Sequence, residues 1–507
     1  MPIKNSVYAN GRRDYRVIKY AHKKILLALY AAVHILSGVV DLKVLLVSPG
    51  ESFNMKTSYL PIGLAYIGSY LQKQGVKVEG LDLRFLNNWD EATHSIAASG
   101  ADVVSIGAMT IEMPRALQVA GIAKKHLGAV VVLGGPHPTV CSDEVIAEEN
   151  VDIVVVGEGE HTMWEVIEAL EGARGLYSVK GIIYHDDGKI VHNEGREPIA
   201  DLDSLPFPAR DIFPLNKVLS NPVTNFPLPS PALHVFASRG CPFTCKFCQP
   251  CLNKLFGNRA RYRSINNVFD EIEYLISRYN LRGLMLEDDT FTVNKRWTYK
   301  FCEEMKKRGL NEKIAWYCHT RADTINRDMA HILREAGCIS VCIGIESGSQ
   351  HVLDILGKGT TEKQSYDVLR ICKEEGLIAV SNIMIGTPGE TIEDLNKTIK
   401  LIESMQPEMV YVGITTPTPG TYLFDEAEKA GIIQAESWTD FDRGKTSGKM
   451  KIDIDDAILN NVRKKLSIYG FSRQFLNESY YRDACLKRWK SFIDIGKPEQ
   501  ILKEING

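Results

Sequence analysis

The feature that most narrows the fold is a twofold series in which short apolar runs alternate with helical stretches. In the first series, Lys43–Ser48 (KVLLVS), Val76–Leu83, Asp102–Ile106, Ala129–Leu133 and Asp152–Val156 are too short and too β-branched for helices, and read as buried strands. Helices are expected between them over Pro61–Gln74, Pro114–Leu127 and Ser142–Glu149. Strands that alternate with helices predict a doubly wound parallel sheet over residues 42–200. Such sheets bind ligands in the loops beyond the C-terminal ends of their strands. Those loops are Ser105-Ile106-Gly107-Ala108-Met109-Thr110, Gly134-Gly135-Pro136-His137-Pro138-Thr139 and Gly157-Glu158-Gly159-Glu160. Their glycines let backbone approach a flat ligand and its phosphate tail. Val179 to Asn193 reads as a small hairpin turning at Asp186-Asp187-Gly188. A proline-rich connector, residues 201–232, marks a domain boundary. The alternation then resumes with six strands: Leu233–Ser238, Gly283–Glu287, Ile314–Cys318, Ser340–Ile345, Ile378–Ile385 and Val410–Ile414. Six βα units over residues 233–425 make a partial (βα)6 barrel, with its working face at the C-terminal strand ends.

The loop leaving the first of those six strands holds the most specific chemistry in the chain. Cys241, Cys245 and Cys248 stand at CxxxCxxC spacing. Three thiols crowded together suit a soft metal centre. Zinc sites usually pair two CxxC knuckles, and no second knuckle follows. Three ligands with one metal position open point to a [4Fe–4S] cube whose fourth iron can take a ligand. Cys251, three residues on, reads as a bystander, because a fully ligated cube would have no open iron.

With Phe247 just before the third cysteine, this motif resembles that of the radical S-adenosylmethionine (radical SAM) superfamily. The resemblance implies that the open iron chelates S-adenosylmethionine, whose reductive cleavage yields a 5′-deoxyadenosyl radical. It also implies roles at the barrel's strand ends. Asp288 and Asp289 would hold the methionyl amine, and Arg321 could meet the carboxylate. Glu346 and Ser347 resemble the ribose-binding segment, and Asn382, in the fifth strand, is a further candidate contact. Acidic residues and glycines at strand ends also simply cap helices and turn the chain. Ahead of this motif, the first series resembles a Rossmann-like cobalamin-binding domain. That family carries a serine loop after its third strand and a Gly-Gly after its fourth. Ser105, Thr110, Gly134, Gly135, Pro136, His137, Gly157 and Glu158 therefore become candidate cobalamin contacts. The loop Ser48–Ser58 lacks the histidine that many such domains offer below the corrin, which implies base-off cobalamin without a histidine ligand. His137 could be a ligand or a base, or could shape its loop between two prolines.

Composition bounds the rest. At 507 residues and net charge −3, the chain carries no charge excess that would favour nucleic acid. Eleven scattered cysteines fit a reducing, cytoplasmic setting better than a disulfide framework. Residues 1–41 place basic residues before the apolar run Ile25–Val40, a pattern that mimics a signal peptide without a convincing cleavage site. It reads as a peripheral membrane helix, a helix packed on the next domain, or an extension from an upstream start codon. Residues 426–507 read as helical, with Ile458–Phe471 and Phe475–Phe492 forming either a cap over the barrel or a packing pair. The expected protein is a cobalamin-dependent C-methyltransferase acting on a small or lipid-like hydrophobic substrate, a tetrapyrrole or polycyclic lipid, with flavodoxin or ferredoxin as reductant. The alternatives are an anaerobic cyclase of the chlorophyll-precursor type and a non-enzymatic cobalamin or cluster sensor.

Overall fold

The computed structural model describes residues 42–221, 228–434 and 450–469. Two sheets organise them. The first has seven strands in the order β2-β1-β3-β4-β5-β6-β7. These are β1 Lys43–Ser48, β2 Lys77–Asp82, β3 Val103–Gly107, β4 Val130–Gly134, β5 Ile153–Val155, β6 Ile182–Asp186 and β7 Lys189–His192. The order reverses at β1, which pairs in parallel with both β2 and β3, as a doubly wound sheet requires. Alternation along the strands explains the two layers. Val44, Leu46, Val103 and Val132 face one core with helices α1 (Ile62–Lys73) and, further on, Glu160–Leu170. Leu45, Val47, Val104, Ile106, Val131 and Leu133 face the other, under α2 (Trp89–Ser99) and α3 (Met113–Leu127). The expected hairpin does form, but it extends this sheet: β6 pairs antiparallel with β5, so the sheet is mixed rather than wholly parallel. Ile182 and Ile183 are apolar enough to be buried against the domain, which sequence alternation over so short a run does not reveal.

The segment after β4 also differs from a plain loop. Pro136–Val140 is a short helix, α4, followed by Ser142–Ile146, α5. Gly135 starts it at φ 100, and a Cβ there would sit 3.1 Å from the backbone N and O of Ala108, so the β3 and β4 loops touch. The next helix, Glu160–Leu170, is α6.

The second sheet runs β15-β14-β13-β12-β11-β8, all parallel, an open six-stranded barrel wall. Its strands are β8 Ala232–Val235, β11 Gly283–Leu286, β12 Ala315–Arg321, β13 Cys338–Glu346, β14 Ile378–Ile385 and β15 Met409–Ile414. The first strand ends at Val235, earlier than expected. Ser238–Arg239 leaves it as a separate strand, β9, paired antiparallel with β10 (Arg261–Tyr262). Outward-facing side chains such as Leu284, Trp316, Val341, Ile343 and Ile383 pack under the covering helices. Helix Asp456–Tyr469 contributes Leu459, Val462 and Leu466 to this outer core and covers the flank of edge strand β15. The second expected C-terminal helix and residues 1–41 lie outside the described residues. Among the described residues no helix is long and apolar enough to cross a membrane.

Candidate functional site

The cysteine loop is pinned from several directions. Gly240 opens it at φ 89, where a Cβ would meet the Arg259 carbonyl oxygen at 2.7 Å; only glycine fits. Asp288 is buried, accepting from Ser238 Oγ at 2.5 Å and from the Ala237 amide. Asp289 accepts from the Gly240 amide at 3.1 Å. Both carboxylates thus hold the approach to the cysteines. Burial, only partly offset by the Ser238 hydrogen bond, pushes Asp288 up to about 6. Arg321 donates to Cys245 Sγ at 3.2 Å, lies 3.6 Å over the Phe243 ring and is gripped by Asp323 at 2.9 and 3.0 Å. Glu346, at φ 63, accepts from Lys358 Nζ at 2.8 Å, and that ammonium lies 5.5 Å from the Phe247 ring. Ser347 is fully buried and bonds Thr398 at 3.0 Å, bracing the strand end against the next helix.

Cys245 is buried, while Cys241 and Cys248 are half-buried. Burial pushes the Cys241 and Cys248 thiols up, and negative charge on Cys245 would raise both further. The three sulfurs are therefore electrostatic neighbours that only a cationic centre would deprotonate together. Among the described residues no three His, Cys, Asp or Glu side chains are closed around a single-ion position.

Inside the barrel the side chains alternate inward, forming a polar wall that the sequence reading missed. Glu287 follows β11 and accepts from Tyr317 Oη and, at 3.0 Å, hydrogen-bonds His319 Nε2. Tyr59 enters from the first domain, with its hydroxyl 3.1 Å from that of Tyr317. Asn382 donates to Cys342 Sγ at 3.3 Å. Burial opposes charge on His319, but Cys342 and Glu287 outweigh it and hold the imidazole pKa well above its usual value. The available signal was the period-2 spacing of Tyr317, His319 and Arg321 along one strand.

At the first sheet, the candidate residues gather beyond β3, β4 and β5. Ser105 is buried with its hydroxyl 3.9 Å from Met163 Sδ. Thr110 Oγ1 lies 3.1 Å from His137 Nδ1. His137 is wholly buried, and burial pushes its pKa down to about 4, so the ring is neutral and packed within its loop. Gly134, Gly135 and Pro136 form the sharp entry to α4, and the Gly157 amide donates to Thr139 Oγ1 at 3.1 Å. Glu158 turns towards the second domain. It pairs with Arg239 at 2.7 Å and Arg261 at 3.0 Å and accepts from the Ile199 amide at 2.7 Å, while Glu160 pairs with Arg239 at 2.6 Å. Arg239 lies two residues before Cys241, so the last loop of the first sheet is clamped to the cysteine loop.

The described residues thus form a cysteine-bearing open barrel docked by buried ion pairs to a doubly wound sheet. Residues 235–402 match the Radical SAM superfamily and residues 53–167 match the B12 binding domain. An uncharacterized methyltransferase of Pyrococcus horikoshii is 34% identical over 433 residues, 83% of this chain and 91% of that protein. The anaerobic magnesium-protoporphyrin IX monomethyl ester cyclase of Rubrivivax gelatinosus is 29% identical over 475 residues, 86% of this chain and 81% of the cyclase. The solved structure of the radical S-adenosylmethionine methyltransferase TsrM from Kitasatospora setae, with cobalamin and a [4Fe-4S] cluster bound, shares the fold. Its TM-score is 0.63 at 17% identity, covering 82% of this chain and 83% of that one. The chain belongs to the cobalamin-dependent radical SAM family. Its radical SAM domain implies a [4Fe–4S] cluster and S-adenosylmethionine, and its B12 binding domain implies cobalamin.

Proposed function

We propose that this protein is a C-methyltransferase acting on an unactivated carbon of a hydrophobic substrate of the tetrapyrrole or polycyclic-lipid class. The observation that carries the reading is the Pyrococcus relative, a methyltransferase by name and similar over nine-tenths of its length. The tetrapyrrole class is favoured by the Rubrivivax cyclase, whose named substrate is a magnesium porphyrin. When bound, the cofactors supply a hydrogen-abstracting radical and a methyl donor. The chain's own part is to hold and shield. Cys241, Cys245 and Cys248 would ligate the cluster, and Phe247 stands in the same loop with the Lys358 ammonium 5.5 Å from its ring. Asp288 and Asp289 fix the loop that carries them, and Arg321 screens the charge on Cys245. Arg321, Glu346, Ser347 and Asn382 border the S-adenosylmethionine pocket. Ser105, Thr110, Gly134, Gly135, Pro136, His137, Gly157 and Glu158 shape the bed of a base-off cobalamin. Electrons come from a small reductant such as flavodoxin or ferredoxin.

The test is anaerobic reconstitution with iron, sulfide and cobalamin, read by absorbance, by 5′-deoxyadenosine release and by substrate mass. Methyl transfer adds one methylene to the substrate. Oxygen incorporation without added carbon would instead favour the cyclase reading that the Rubrivivax relative suggests. Failure of the reduced, reconstituted protein to cleave S-adenosylmethionine would favour a sensor. Alanine at Cys241, Cys245 or Cys248 abolishes 5′-deoxyadenosine release, whereas Cys251→Ala, outside the ligand set, keeps it.

A further inference from the structure

Above its buried floor the barrel bore is polar and open. Met285, Tyr317, Cys342, Val380 and Met409 close the floor, with Tyr59 of the first domain and Tyr411 packed against them. Glu287 continues β11 through a backbone bond to Val235 and stands on the same face as Met285. Its side chain keeps 17% of its surface exposed, and that of the neighbouring His319 keeps 29%. Tyr317 Oη donates to Glu287 Oε1, and His319 Nε2 lies 3.0 Å from Oε2, so the carboxylate is braced at both oxygens yet uncovered. The Tyr59 hydroxyl, 3.1 Å from that of Tyr317, stands behind this brace. A carboxylate accepts about four hydrogen bonds, so Glu287 has capacity for about two more donors. Arg321 lies two residues beyond His319 on the same face of β12, about 7 Å along the strand, where it donates to Cys245 Sγ. On β15, Gly413 follows Tyr411 on the inner face and is exposed. Among the described residues nothing lies within 4 Å of where its Cβ would stand. Met384, level with Gly413, shares an apolar cluster with Phe247 of the cysteine loop.

We propose that this part of the bore is the substrate pocket and that Glu287 is its specificity residue, selecting a substrate that presents a hydroxyl or ammonium group and rejecting a carboxylate. The inference rests on the reading of the chain as an enzyme that works on a substrate beside its cysteine loop, and it narrows the substrate class. The substrate has an apolar body, which lies along Met384 and Gly413, and one hydrogen-bond donor, which reaches down to Glu287. A donor anchored there leaves carbons of the body at the level of Arg321, next to the cysteine loop. A substrate carboxylate in the same place would meet like charge in a partly buried site, where such contacts are costly.

The test is equilibrium dialysis of full-length protein, its cluster reconstituted and S-adenosylmethionine present, against probes that share one rigid apolar body: 1-adamantanol, 1-adamantylamine, 1-methoxyadamantane and adamantane-1-carboxylate. Wild type should hold the alcohol or the amine about tenfold more tightly than the ether, the worth of one hydrogen bond to a charged acceptor, and should hold the carboxylate most weakly. Which donor leads tells a hydroxyl substrate from an ammonium one. Glu287→Gln should bring alcohol, amine and ether within about twofold of one another and tighten the carboxylate about tenfold, a reversal that lost packing would not produce. Gly413→Leu fills the space over β15 and should weaken every probe alike. If Glu287→Gln fails to fold, the wild-type order of the probes and the Gly413→Leu result decide. Equal affinities, a carboxylate that binds best, no measurable binding in the wild type, or probes indifferent to Gly413→Leu overturns the proposal. Release of 5′-deoxyadenosine by the wild type is measured in parallel; its failure would overturn the proposed reaction, while the probe order judges the pocket separately.

Discussion

Arg239 is the most exacting place to perturb the joint between the two domains. Its guanidinium reaches Glu158 at 2.7 Å and Glu160 at 2.6 Å, and the side chains are 12%, 3% and 5% exposed. Burial alone would drive the arginine towards neutrality; Glu160 and Glu158 more than reverse that and hold its pKa above the usual value. Truncation to alanine therefore strands charge. Glu158 keeps Arg261 at 3.0 Å, but Glu160 loses its arginine while remaining buried. Breaking a buried pair by removing one partner costs about 3–5 kcal/mol. Replacing both partners with apolar groups of similar size is often nearly neutral. Arg239→Ala should thus destabilise by about 3–5 kcal/mol, and Arg239→Met with Glu160→Leu should recover most of that. The assay is urea unfolding followed by far-UV circular dichroism and by tryptophan fluorescence, with the two domains' transitions fitted separately. Because the lost contact joins the domains, the two probes should part in Arg239→Ala and coincide again in the double variant. A single variant within about 1 kcal/mol of wild type, or a double variant merely additive, would refute the reasoning, since an exposed pair is worth that little.

Gly240→Ala must relieve both a left-handed backbone and a 2.7 Å contact with the Arg259 carbonyl, so it should lower the iron bound after reconstitution. The colorimetric iron-to-protein ratio checks this, and full loading in the variant would contradict it. His137 has a folded pKa of about 4, below that of the unfolded chain, so its stability contribution is present above about pH 6.5 and is lost as pH falls towards 4. His137→Asn should flatten that acid-side loss, measured as urea midpoints between pH 4 and 7. It should leave the visible spectrum of bound cobalamin unchanged, because the ring is buried within its own loop with Nδ1 against Thr110. Lys358→Met leaves Glu346 buried without its ammonium and should cost about 3–5 kcal/mol, seen as a lower thermal midpoint of the barrel.

Much of this molecule is legible along the chain because its signals are local. The run KVLLVS and the four that follow it in the first series carry their own strand signal, and glycine-rich loops mark the C-terminal edges where cofactor domains act. The motif from Cys241 to Cys248 needs no partner elsewhere to suggest its chemistry, since all three sulfurs lie within eight residues. What stayed hidden depends on distance between segments. Glu158 sits in a glycine loop that reads as a cofactor bed, and its ion pairs with Arg239 and Arg261, residues 81 and 103 positions away, are not legible there. Asp288 and Asp289 read as ligands for an amine, and the same reading gives no sign that they also cap backbone amides at the cysteine loop, about fifty residues upstream. The group of Tyr59, Glu287, Tyr317, His319, Cys342 and Asn382 draws on five separate segments. Periodicity along one strand says which side chains share a face. Only the register between strands, and the docking of one domain on another, says which of them meet.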